Sequence, residues 1–164
     1  MTRRIVVPYK RKKEGKTNYH KRLSLLKSNK LRLVVRKSLK NVTVQLIEYK
    51  HGGDNVLVAA NSMELIKHGW KGYRRNIPAA YLTGLLCAMK AKAKGIKEAI
   101  LDSGVYVSTK GSVIYAALKG AADAGLNIPH GKELLPSEAR LKGEHIKSEN
   151  NFEQVKTKIL GGSK

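Results

Sequence analysis

The sequence predicts an α/β layer protein whose mixed sheet is antiparallel in its first half and parallel in its second, with a basic arm in front. Three observations carry this. Between residues 31 and 60 lie three runs with a strand-like apolar pattern, joined by short links. After them come two Ala-rich segments, each opened by a capping residue, closed by a glycine and followed by a short apolar run. The first forty residues hold fifteen Lys or Arg against one acid, Glu14, which is +14 of the chain's net +21.

Met1 to Lys16 has neither helical nor strand period and is broken by Pro8 and Gly15, so it reads as an extended arm. Thr17 and Asn18 are N-cap candidates. Tyr19, Leu23 and Leu26 then share one helix face, which predicts a short helix over about 18–28 with that stripe on the body. In Leu31–Lys37 (LRLVVRK), Leu33 and Val35 fall on one side and Arg32, Val34 and Arg36 on the other. Val42–Tyr49 is the second strand, with Val42, Val44 and Leu46 on one face, and Val56–Ala60 is the third. The link His51-Gly52-Gly53-Asp54 has turn chemistry, since Gly and Asp tolerate positive φ. Such short links imply an antiparallel meander.

Ser62 is placed to cap a short helix over 63–68. Gly69 to Arg75 is an irregular basic loop. Asn76 and Pro78 open a helix whose buried face is Leu82, Leu85, Leu86, Met89 and Ala93, and Gly95 ends it. Glu98–Asp102 is a short strand, and Ser112 opens the next helix, closed by Gly125. Leu126–Pro129 is the last strand or extended segment, giving the order β-β-β-α-β-α-β. Beyond it, Leu135 to about Ile146 is a helix or turn, and Phe152, Val155 and Ile159 mark a final short helix. The chain thus divides into a basic arm and short helix (1–30), an α/β core (31–130) and a nearly neutral C-terminal extension (131–164).

Composition narrows the function. With 164 residues and 41% apolar content there is enough chain for one core plus extensions. A pI near 10.2 points to a polyanionic partner. Nucleic acid and an anionic membrane surface both fit the sign. The apolar runs are far too short to span a bilayer, and no signal peptide is visible. The single cysteine, Cys87, excludes an internal disulfide and a Cys-based zinc site. It sits among Leu85, Leu86 and Met89 and reads as a core thiol. The acids Glu48, Asp54, Glu64, Asp102 and Asp123 are scattered, and the five histidines lack metal-ligand spacing. No enzyme, cofactor, metal or small-molecule substrate is expected.

Like charges as dense as those of the arm hold a shape when a polyanion neutralises them. The expected RNA contacts are Arg3, Arg4, Lys10, Arg11, Lys12, Lys13, Lys16, Lys21 and Arg22, with Tyr9 and Tyr19 placed either to stack on bases or to pack on the body. In the loop 69–75, Trp70 reads as structural and Lys71, Arg74 and Arg75 as candidates for phosphate. In the loop 103–112, Lys110 lies just before a helix N-terminus, where free N–H groups attract anions. That loop lacks the Walker A order, and helix capping is its favoured reading.

Several strings resemble one family. They are Val7 to Tyr19 (VPYKRKKEGKTNY), Arg32 to Ser38, Gly69-Trp70-Lys71-Gly72, Asn76 to Gly84 (NIPAAYLTG), Leu118 to Ala121, Ile128 to Gly131 and Gly143 to Ile146. In this order they resemble the 5S rRNA-binding ribosomal proteins of the large subunit, the eighteenth family in the large-subunit naming, of the archaeal and eukaryotic type. The length is similar to the archaeal form. The resemblance implies a ribonuclease-H-like motif, three layers with helices on both faces of a mixed five-stranded sheet. It implies binding to 5S rRNA and its attachment to 23S rRNA in the central protuberance, through a basic segment that here is Arg3 to Arg22. It also implies a neighbour, the fifth-family protein that also binds 5S rRNA, and residence in the cytoplasmic ribosome. Ribonuclease H enzymes with this motif are metal-dependent nucleases, but here the first strand carries three basic residues and no acid. A nuclease and a DNA-compacting protein are the alternatives. A metal-dependence assay and a competition between 5S rRNA and duplex DNA separate them.

Overall fold

A computed structural model describes residues 7–146 and 151–161. The sheet has four strands, β1 (Arg32–Lys37), β2 (Val42–Lys50), β3 (Gly53–Asn61) and β4 (Ile100–Asp102), in the order β3-β2-β1-β4. β1 and β3 are both antiparallel to β2, and β4 is parallel to β1. The expected mixture of directions holds. The expected fifth strand does not: Leu126–Pro129 forms one parallel bridge, Glu98 with Asn127, closed by Ala99 N–H to Asn127 O and Asn127 N–H to Lys97 O. Pro129, with no N–H to donate, follows at once and stops the ladder.

Alternation along β1 is as read. Leu33 and Val35 are buried in the core with Val42, Val44 and Leu46, while Arg32, Val34 and Arg36 take the opposite face. The β2–β3 link is shorter than its glycines suggested. Pairing continues to Lys50 with Gly53, so Asp54 lies in the strand, opposite Tyr49. A two-residue loop is enough to reverse antiparallel strands. A bulge lies between Leu46/Ile47 and β3: Leu46 faces Val58 but Ile47 faces Val56, leaving Leu57 as the extra residue. Val58 and Ala60 therefore point into the core, whereas Val56 and Asp54 share the face of Ile47 and Arg32.

The long helices are α3 (Ile77–Ala93) and α4 (Val113–Asp123). Asn76 caps α3, its Oδ1 accepting from Ala79 N–H at 2.9 Å, with Pro78 in the first turn. Most of α3 is buried, because β2 and β3 lie on one side while α4, α5 (Glu138–Lys142) and α6 (Phe152–Gly161) pack against it elsewhere. Glycines let the two long helices meet backbone to backbone. A Cβ on Gly84 would overlap the Ala117 carbonyl, and one on Gly120 the Tyr81 carbonyl. Ser112 takes the N-cap place of α4, yet its hydroxyl makes no capping bond. The expected 63–68 helix is a 3-10 turn, Glu64–His68; Ser62 instead accepts from Val42 N–H at 3.0 Å, tying β2 to the end of β3. Phe152, Val155 and Ile159 are buried in the same core as the sheet. Tyr81 joins α3 to α4 and α6, donating to Asp123 and packing on Phe152.

The opposite face of the sheet carries no long helix among the described residues. It meets α2 (Tyr19–Leu26) and the loop 103–106 across an open cleft. Of the helices expected on both faces of the sheet, the long ones lie on one side and the short α2 faces the other across the cleft.

The N-terminal segment is also less extended than expected. Lys10–Lys13 form a short helix, α1, in which Tyr9 O accepts from Lys12 and Lys13 N–H. Gly15, at φ +64°, reverses the chain so that Arg11 O accepts from both Lys16 and Thr17 N–H. Residues 1–6, the rest of the arm, lie outside the described residues, as do 147–150 and 162–164.

Candidate nucleic-acid interface

α2 begins at Asn18, whose side chain accepts from His20 and Lys21 N–H at 3.1 and 3.2 Å. The expected apolar stripe is covered only in part: Tyr19 and Leu26 are half-buried, Leu23 is 57% exposed, and α2 has no fully buried residue. Tyr19 packs on Tyr9, with ring centres 5.1 Å apart, so both tyrosines pack within the N-terminal segment.

Between this segment and the sheet lies a cleft of about 460 Å³. Its cations are Arg11, Lys16, Lys21, Arg22, Arg32, Arg36 and Lys37, and its acids are Asp54 and Asp102. Val34 and Ile47 form an apolar floor. Tyr106 stands at one wall, donating its hydroxyl to Lys37 O at 3.1 Å, with Lys37 Nζ 4.8 Å from its ring centre. Seven cations against two acids make a site for a polyanion, with low-dielectric walls that strengthen the field.

Not every cation there is free to meet a ligand. Arg32 is 2% exposed and sits between the two acids, Nη1 donating to Asp102 and Nη2 2.9 Å from Asp54. The Asp54 contact is an ion pair without hydrogen-bond alignment, leaving Nε and Nη2 without an acceptor among the described residues. Arg22 of α2 donates to the same Asp54 oxygen at 2.9 Å. Burial would raise the Asp54 carboxyl, but the Arg32 and Arg22 guanidiniums hold it below its ordinary value. Asp102 also accepts from Gly104 N–H. Both carboxylates are engaged by protein, and among the described residues no three His, Cys, Asp or Glu side chains converge as metal ligands would.

Of the expected RNA contacts, Arg11, Lys16, Lys21 and Arg22 come together on the cleft. Arg11 is oriented by donating to Thr17, and Lys16 pairs with Glu14 at 2.8 Å. Lys10, Lys12 and Lys13 are exposed on α1. Arg3 and Arg4 fall outside the described residues. Lys71, Arg74, Arg75 and Lys110 are not on the cleft. Arg74 donates to Asn41 at 2.8 Å and Tyr73 to Leu39 O at 2.6 Å, so this loop braces the β1–β2 turn. Trp70 is buried in the core, as its structural reading requires. Lys110 is exposed and 3.8 Å from Glu133. Sequence reasoning left Arg32, Arg36, Lys37, Asp54 and Asp102 out of the site. Alternation along β1 was enough to find Arg32 and Arg36; nothing local marked the acids.

Residues 3–98 and 90–131 match the family of ribosomal large subunit proteins 60S L5 and 50S L18. The large ribosomal subunit protein uL18 of Methanococcus maripaludis is 54% identical over 148 residues, spanning 90% of this chain and 77% of that protein. These are names of structural components of the ribosome and not of enzymes. The chain belongs to the 60S L5 and 50S L18 family of large-subunit ribosomal proteins.

Proposed function

We propose that this protein binds 5S rRNA through its basic N-terminal segment and helps attach it to 23S rRNA in the central protuberance, beside the fifth-family 5S rRNA-binding protein. The observation that supports this most is the cleft, where cations from α1, α2 and β1 converge. RNA contacts then fall on residues 1–30, with Arg3, Arg4, Lys10, Arg11, Lys12, Lys13, Lys16 and Lys21 on phosphate. The core, 31–130, positions them, and Leu141, Phe152, Val155 and Ile159 of the extension complete its packing. Lys71, Arg75 and Lys110 are further phosphate contacts outside the cleft. Recognition is by backbone and shape, since A-form RNA hides its base edges in a deep, narrow groove.

Each phosphate neutralised releases counterions, so binding falls with salt by about 0.7 to 0.9 log units per contact per log unit of salt. Deleting residues 1–22 is expected to lower 5S rRNA affinity by about two orders of magnitude or more and to flatten that slope. Filter binding across a salt series checks both. Unchanged affinity and slope in the truncated protein sink the proposal.

A further inference from the structure

The two acids of the cleft run against its chemistry. A carboxylate repels phosphate, so a site built only for RNA contact gains nothing from Asp54 or Asp102. Their partners give them another task. Asp102, on β4, and Asp54, on β3, both hold the buried guanidinium of Arg32 on β1. Asp54 then reaches past the sheet to Arg22 of α2. α2 has little else to hold it: none of its side chains is fully buried, Tyr19, Leu25 and Leu26 being half-buried, and its other hydrogen bonds among the described residues are local. Arg22–Asp54 is therefore the polar link that sets this helix over the cleft.

We propose that Asp54 is a positioning residue for RNA binding, and that Arg22 acts through it rather than on phosphate. Asp102 fixes Arg32, Arg32 fixes Asp54, and Asp54 holds α2 so that Lys21 and the adjoining Arg11 and Lys16 face the ligand before it arrives. The chain of guanidinium and carboxylate groups is protein-internal, so RNA meets a helix already in place. This rests on the reading that the cleft binds RNA.

The sign of one substitution separates this from direct contact. Removing an acid from a polyanion site tightens binding if charge alone counts. If the acid positions α2, Asp54→Asn weakens binding: a helix docked a tenth of the time lowers apparent affinity about tenfold. The experiment measures 5S rRNA affinity for wild type, Asp54→Asn, Arg22→Gln and the double variant, with hydrogen exchange of the same proteins. The expected result is comparable weakening in both single variants and no further loss in the double. Amides 19–26 should exchange faster while those of α3 stay unchanged, a difference that general destabilisation does not produce. Asp54→Glu should restore most of the affinity. Tighter binding by Asp54→Asn, or additive losses, overturns the proposal. Arg22→Gln lies on a helix with no fully buried residue and leaves the core intact, so if Asp54→Asn fails to fold this variant decides by exchange: unchanged protection of amides 19–26 overturns the proposal. Should wild type itself not bind 5S rRNA, the functional reading fails, and the exchange of α2 still decides whether Asp54 holds the helix.

Discussion

Burial alone raises the Asp54 carboxyl, yet Arg32 and Arg22, each 2.9 Å away, bring it below its ordinary value. The sign of its pH effect follows. A carboxyl with a depressed folded value contributes stability that is complete above its unfolded value and is lost as pH falls through the folded one. Folding stability is therefore expected to decline below about pH 4, and denaturant titrations of Asp54→Asn should show a shallower decline. Glu64 adds to the same acid limb: burial opposes its ionisation, but Lys90 and the Asn61 N–H favour it more. Cys87 is the opposite case. Burial pushes its thiol up to about 12, which fits the inert core position read from its neighbours.

At the scale of elements, the pairing of α3 with α4 depends on two residues that have no side chain. Gly84→Ala or Gly120→Ala places a methyl on a backbone carbonyl of the facing helix, which cannot swing aside as a side chain would. Each is expected to cost about 3 kcal/mol or more, at the upper end of overpacking, read as a drop in the thermal midpoint. These glycines were not legible as contacts, because a single helix carries no record of what crosses it. The face of α3 was harder still to read, since a helix buried on most sides shows little period. β1 was legible because its alternation is local and its two faces differ sharply in polarity. The stripe Tyr19, Leu23, Leu26 was legible only in part: spacing identified the helix, but Leu23 is exposed, and the helix's ion pair goes to a residue 32 positions away.

Across the whole molecule, apolar burial and charge occupy different faces of one sheet. The long helices take Leu33, Val35, Val44 and Leu46; the basic segment takes the side of Arg32 and Arg36. The charge surplus of the first forty residues pointed to a polyanion, and the family adds the ribosome. What composition did not carry was the organisation of that charge by two acids, which depends on sheet register. The bulge at Leu57 is the device that turns Asp54 toward the cleft. It also means that β3 holds one residue more than its ladder needs. The strand can therefore lose length more easily than gain it. A chain lacking Leu57 keeps Ile47 opposite Val56 and Tyr49 opposite Asp54, merely erasing the bulge. An extra alanine after Leu57 has no such slack and sends Asp54 to the wrong side or widens the distortion. The shortened protein is expected to retain 5S rRNA affinity within about threefold and the lengthened one to lose about tenfold, following the docking of α2. Tolerance to insertion and deletion in relatives of this chain should be lopsided at this one place in the hairpin.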